Sequence, residues 1–174
     1  AALALWHIEQ GNPRIVNVKD DMQGSFLGPE YSQNEIEDDL TKAGAVFETI
    51  DEDILLNKTA ESLANGNAIG WFQGRMEFGP RALGARSILG DARSSKMQKN
   101  LNLKVKYRES FRPFAPSILR EDLTEWFEIK VDSPYMLMVA NTSSKKNIEM
   151  TEDQKKLFGI DKLNIKRSEI PAVT

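Results

Sequence analysis

The chain has 174 residues, 40% of them hydrophobic and 28% charged, with no cysteine, one histidine (His7) and a formal net charge of −3. That length suits one ordinary soluble domain. The missing cysteines exclude a disulfide framework, a thiolate zinc site and a cysteine nucleophile, and one histidine excludes a multi-histidine metal cluster within the chain.

The chain opens on an apolar run, Ala1–Trp6, too short to span a membrane and without the basic front and cleavage site of a signal peptide. It reads as the tail of a helix belonging to a preceding domain. Arg14 to Val18 reads as a short strand, followed by turn punctuation at Gly24 and Gly28-Pro29. Ser32 with Glu35 three residues on is a capping box, and Ile36, Leu40 and Ala43 then share one helical face that ends at Gly44. Ala45–Ile50 alternates as a strand. Asp51 or Asp53 can cap a second helix through Leu55, Leu56 and Leu63, stopped at Gly66. Ala68–Phe72 reads as a short buried strand running into a basic stretch.

Beyond that stretch, Pro116–Leu119 is strand-like, Glu121–Phe127 a short helix and Tyr135–Ala140 a strand. Residues 141–156 are polar, a mobile loop or a partly helical insertion in which Thr151 with Gln154 could cap. The chain stops on a β-prone run at Thr174, so both ends read as cut from something longer. The mixed order predicts an α/β or α+β sheet with helices packed on it. There is no transmembrane stretch, repeat or low-complexity tract, and a reducing, cytoplasmic compartment is the expectation.

The charge is unevenly placed. Residues 71–112 hold ten Lys/Arg against three Asp/Glu, a local +7, while the remainder carries −10. An acidic chain with one basic segment is expected to meet an anion there. Three patterns make up the segment. Gly74-Arg75-Met76-Glu77-Phe78-Gly79-Pro80-Arg81-Ala82-Leu83-Gly84-Ala85-Arg86 breaks regular structure with three glycines and a proline, letting backbone N–H groups such as that of Gly79 approach a ligand. Arg75, Arg81 and Arg86 add forked donors suited to phosphate. Glu77 can orient one of these arginines or bind a phosphate-bound Mg²⁺. The bland alternative is a solvated loop whose arginines pair with surface acids.

Lys104-Val105-Lys106-Tyr107-Arg108 puts its three cations on one face if extended. An edge strand defended by lysines gives the same pattern. If the segment is helical, Lys104, Arg108 and Arg112 align at i, i+4 instead. Phe111-Arg112-Pro113-Phe114-Ala115-Pro116 fixes an irregular, apolar-anchored backbone, a stiff setting for Arg112. Neither a Walker loop nor a G-x-G-x-x-G fingerprint is present. Together the residues indicate a polyphosphate or nucleotide site with no obvious protein nucleophile.

Gly70–Gly84 followed by Arg86-Ser87-Ile88-Leu89, then Lys106 with Arg108-Glu109 and Phe111–Pro116, and the lead-in Gly28-Pro29-Glu30-Tyr31-Ser32, resemble the carbamoyltransferase family, which includes nodulation-factor and antibiotic O-carbamoyltransferases. The likeness covers roughly residues 25–140 and the end at Pro171–Thr174; residues 141–168 match nothing placed in that pattern. The resemblance implies a two-part enzyme: an actin/hexokinase-like N-terminal half holding an iron ion, and a YrdC-like C-terminal half. The second half would use ATP, with its Mg²⁺, and carbamoyl phosphate to make carbamoyl adenylate for transfer to an acceptor hydroxyl. Residues 1–24 would be the tail of the first half and a linker. Residues 25–174 would be the YrdC-like domain, a twisted mixed sheet with packed helices, truncated at its end and inactive alone.

By that resemblance the ATP-binding and catalytic cations fall on Arg81, Lys106 and Arg112, with Arg75, Glu77, Gly79, Arg86 and Arg108 as further nucleotide contacts. No metal site is expected within the chain, and His7 is read as a helix-surface residue. The expected partners are ATP, carbamoyl phosphate and the N-terminal half of the same polypeptide, with no membrane. Two readings from other classes stand beside it. One is an RNA-binding YrdC-like module using the same basic surface, against which the acidity elsewhere counts. The other is a non-catalytic domain that docks an acidic partner.

Overall fold

The computed structural model describes residues 1–17 and 19–174. Helices precede and follow one small sheet along the chain, so the expected mixture of α and β structure is what forms. The helices are α1 (Ala2–Ala4), α2 (Gln33–Lys42), α3 (Glu52–Ala64), α4 (Met97–Asn100), α5 (Leu123–Trp126), α6 (Glu152–Lys156) and α7 (Gly159–Leu163). Strands β1 (Ile69–Phe72) and β2 (Arg86–Leu89) pair antiparallel, with Ile69 opposite Leu89 and Phe72 opposite Arg86. No described helix is long and apolar enough to cross a membrane.

Local chemistry explains the best-formed elements. Ser32 caps α2 by accepting from the Glu35 N–H while the Glu35 carboxylate takes the Ser32 N–H, and Gly44 lets the chain leave the helix at a φ of 68°. The same reciprocal box, Thr151 with Gln154, starts α6, so part of the polar insertion is helical. Asp51 occupies the N-cap of α3 without making a side-chain bond, and Gly66 follows its end at a φ of 82°.

Other expectations are corrected. Residues 45–50, which alternate, and 116–119 and 135–140, which are strand-like in composition, form no ladder, and Val46, Leu119, Leu137 and Val139 stay largely exposed. Alternation reports a face that could be buried; without a second strand to take its N–H and C=O groups it forms nothing. Residues 14–17 are likewise irregular, and Val18, the last residue of the strand expected there, lies outside the described residues. Strand β2 was not expected, because Arg86 and Ser87 read as part of the glycine-rich loop.

The core is small. Met97 and Leu101 pack with Ala172 near the chain end, with Phe114 half-buried against them. The Ala172 N–H donates to the Ala92 carbonyl at 3.1 Å, which seats that end beside α4. Gly90, just past β2, comes so close to α4 that a β-carbon there would sit 2.8 Å from the Met97 side chain. The surface totals 13782 Å², against roughly 8,600 Å² for a compact protein of this mass. Much apolar surface is therefore left uncovered, including that of α1 and α3.

Candidate functional site

The first cationic loop leaves β1 at Gln73 and re-enters the sheet at Arg86. Its neck is closed by the Gln73 N–H donating to the Ala85 carbonyl at 2.7 Å. Inside it Glu77 is buried, with no side-chain surface exposed. Its Oε1 accepts from the Leu83 and Ala85 N–H groups at 2.6 and 2.8 Å, and its Oε2 accepts from Arg86 Nε at 3.0 Å. Arg86 Nη2 also donates to the carbonyls of Glu77 and Gly79. Burial pushes the Glu77 carboxyl up, but the backbone donors and Arg86 outweigh it and hold the group at about 2 instead of 4.5. Glu77 and Arg86 thus fasten the loop, with Phe78–Ala82 left outside it.

Residues 24–30 form a strap across this loop. Phe78 N–H donates to the Ser25 carbonyl at 2.6 Å, Gly28 N–H to Met76, and Met76 N–H to Pro29. Gly28 has no room for a side chain: a β-carbon would lie 2.9 Å from the Met76 carbonyl oxygen. Arg75 completes the fastening, donating from Nη1 to the Gly28 carbonyl at 2.8 Å and pairing with Glu30 at 3.3 Å. A shallow open depression of about 350 Å³ lies here, lined by Phe26, Gln73, Gly74, Arg75, Gly84 and Ala85.

The second cationic block hangs from α4. That helix widens into a π turn over Leu101–Val105, closed by the Lys106 N–H donating to the Leu101 carbonyl. The segment 104–108 is therefore helical at its start and neither of the uniform faces considered from sequence. Tyr107 follows with a left-handed φ of 49° and is 87% exposed. Arg108 folds back. Its N–H donates to the Asn102 carbonyl at 3.0 Å, its Nε to Asn102 Oδ1 at 2.6 Å, and its guanidinium carbon lies 5.0 Å from the Phe114 ring centre. Arg112 keeps its side chain exposed, with a loose 3.8 Å pair to Glu109, while its carbonyl accepts from Asn102 and Gln98.

The charges of the basic segment thus divide. Arg75, Arg86, Arg93 and Arg112 each meet an acid; among the loop arginines Arg75 pairs with the surface acid Glu30, as the solvated-loop alternative requires, whereas the partner of Arg86 is the buried Glu77. Among the described residues Arg81, Lys96, Lys99, Lys104, Lys106 and Arg108 have no carboxylate at ion-pair distance; of these Arg81, Lys106 and Arg108 are the ones expected from sequence to meet the ligand. Arg81 stands exposed on the part of the loop outside the Glu77 fastening. Gly79, at a φ of 139°, has nothing within 4 Å of where a side chain would start, so that side of its backbone stays open while its carbonyl accepts from Arg86. Of the two roles considered for Glu77, orienting an arginine is the one its geometry performs; both oxygens accept from N–H donors and the side chain is fully covered, so neither is presented to an incoming cation. Sequence reasoning missed Asn102, whose type at a helix end signals only a turn or cap.

Residues 60–174 match the family described as carbamoyltransferase C-terminus. A protein of Synechocystis described as uncharacterized, sll1178, is 52% identical across this whole chain, which covers 29% of that relative. Nodulation protein NolNO of Sinorhizobium fredii is 42% identical over 73% of this chain and 19% of its own length. The 3'-hydroxymethylcephem-O-carbamoyltransferase of Streptomyces clavuligerus is 47% identical over 45% of this chain and 15% of its own. The chain therefore spans under a third of the length of these relatives.

Proposed function

The chain belongs to the carbamoyltransferase family through its C-terminal domain, and from that premise we propose that it activates a carbamoyl group with ATP for transfer to an acceptor hydroxyl. The observation that carries the reading is the pair of fastened cationic loops, which leave Arg81, Lys106 and Arg108 without acid partners while the backbone around them is held.

The chemistry needs that kind of site. Water adds to the carbonyl carbon of carbamoyl phosphate and inorganic phosphate leaves, giving carbamate. A carbamate oxygen then attacks the α-phosphorus of ATP, pyrophosphate leaves, and the carbamoyl adenylate formed carries a reactive carbonyl to the acceptor. Both steps build negative charge on phosphoryl oxygens, which fixed cations stabilise without a protein nucleophile. Arg81, Lys106, Arg108 and Arg112 supply that charge. Mg²⁺ arrives on the nucleotide's phosphates, since the carboxylate of Glu77 is fully covered and already bonded to N–H donors on both oxygens.

The test is carbamoyl-phosphate-dependent exchange of pyrophosphate into ATP by the full-length protein. Arg81→Ala and Arg112→Ala are each expected to abolish exchange while the far-UV circular dichroism stays unchanged. Wild-type exchange in both variants would overturn the proposal.

A further inference from the structure

We propose that Asn102 is a positioning residue that presets Arg108 as a phosphate-binding fork; the proposal rests on the nucleotide reading above and deepens it. Asn102 is fully buried, although asparagine rarely is. All three of its side-chain hydrogen bonds point at one loop. Oδ1 accepts from Arg108 Nε at 2.6 Å, and Nδ2 donates to the carbonyls of Ser110 and Arg112 at 3.1 and 2.8 Å.

These bonds leave a particular part of Arg108 available. Its Nε is taken by Asn102 and one guanidinium face lies against Phe114, which is itself packed on the Met97–Leu101–Ala172 core. Among the described residues its two Nη nitrogens have no protein acceptor. A guanidinium pinned at Nε and on one face, with both Nη groups open, can meet two phosphate oxygens with little rotamer freedom left to lose. The left-handed Tyr107 between Lys106 and Arg108 is the conformational cost of turning Arg108 back, and the exposed ring gains no burial from it. The three Asn102 bonds hold that turn in place.

The experiment is calorimetric ATP binding to the full-length protein, with thermal melting measured alongside. Asn102→Ala is expected to weaken ATP binding about tenfold, the worth of one charge-assisted hydrogen bond. Arg108→Ala is expected to weaken it at least as much. The double variant is expected to bind no more weakly than Arg108→Ala alone, because Asn102 acts through Arg108. A purely structural Asn102 would give the same loss in both backgrounds, and that result overturns the proposal, as does wild-type binding by Asn102→Ala. If Asn102→Ala does not fold, Phe114→Leu keeps the apolar packing and removes the ring face; wild-type affinity in that variant overturns the preset fork. Should Arg81→Ala and Arg112→Ala also bind ATP like wild type, the nucleotide reading itself has failed. Loss in those two with no loss in Asn102→Ala overturns only the role of Asn102.

Discussion

Glu77 and Arg86 face each other at the neck of the glycine-rich loop, Nε to Oε2 at 3.0 Å, with the carboxylate fully covered and the guanidinium one-third exposed. Nine residues apart in sequence, they also form the β2 end of the loop, because Arg86 is the first residue of that strand and pairs with Phe72. One ion pair therefore sets where the sheet stops and the loop begins.

Glu77→Gln keeps the shape and removes the charge. One oxygen is replaced by an NH₂ that meets N–H donors, so the variant is expected to lose about 2 kcal/mol of stability. Because the folded pKa lies below the ordinary value, the wild-type advantage is fully present above pH 4.5 and is lost as pH falls from there through about 2. Urea midpoints of both proteins across that range check this. A gap that stays constant from neutral pH down to pH 2.5 would show that the carboxylate charge is not what fastens the loop.

What the sequence made legible follows from the range of each interaction. The capping boxes at Ser32 and Thr151 join residues three apart, so the pattern contains the whole interaction. The glycine-rich loop declared itself by composition, and its strap was seen as a lead-in motif at Gly28–Ser32. The contact between strap and loop was not visible, since Gly28 and Met76 meet only after the chain has turned through two helices and a strand. Residues 45–50 failed in the opposite sense, because their alternation is real but no partner strand accompanies it. Asn102 was hidden for a third reason. Its partners at 108, 110 and 112 come into reach through the widened π turn and the left-handed Tyr107, neither of which residue type announces.

Gly28 and Gly79 separate two uses of glycine. At Gly28 a β-carbon meets the Met76 carbonyl at 2.9 Å, so Gly28→Ala is expected to push strap and loop apart and cost about 1–2 kcal/mol. At Gly79 there is open space and the demand is conformational, with φ at 139°. Gly79→Val is expected to damage ATP binding by covering the exposed backbone. Denaturant unfolding of Gly28→Ala and ATP titration of Gly79→Val measure the two effects, and normal ATP binding by Gly79→Val would make the loop a mere connector.

Arg75 and Arg81 lie six residues apart and are expected to fail in different assays. The Arg75 guanidinium is committed to the Gly28 carbonyl and Glu30, both half-exposed partners, so Arg75→Ala should loosen the strap and lower stability by about 1 kcal/mol. Arg81 makes no hydrogen bond or ion pair among the described residues, so Arg81→Ala should stay within about 0.5 kcal/mol of wild type in unfolding while losing ATP affinity. Urea unfolding and ATP titration on the same two variants resolve the division. If Arg81→Ala destabilises the fold as much as Arg75→Ala, the exposed arginine is holding structure and the ligand must be met elsewhere in the basic segment.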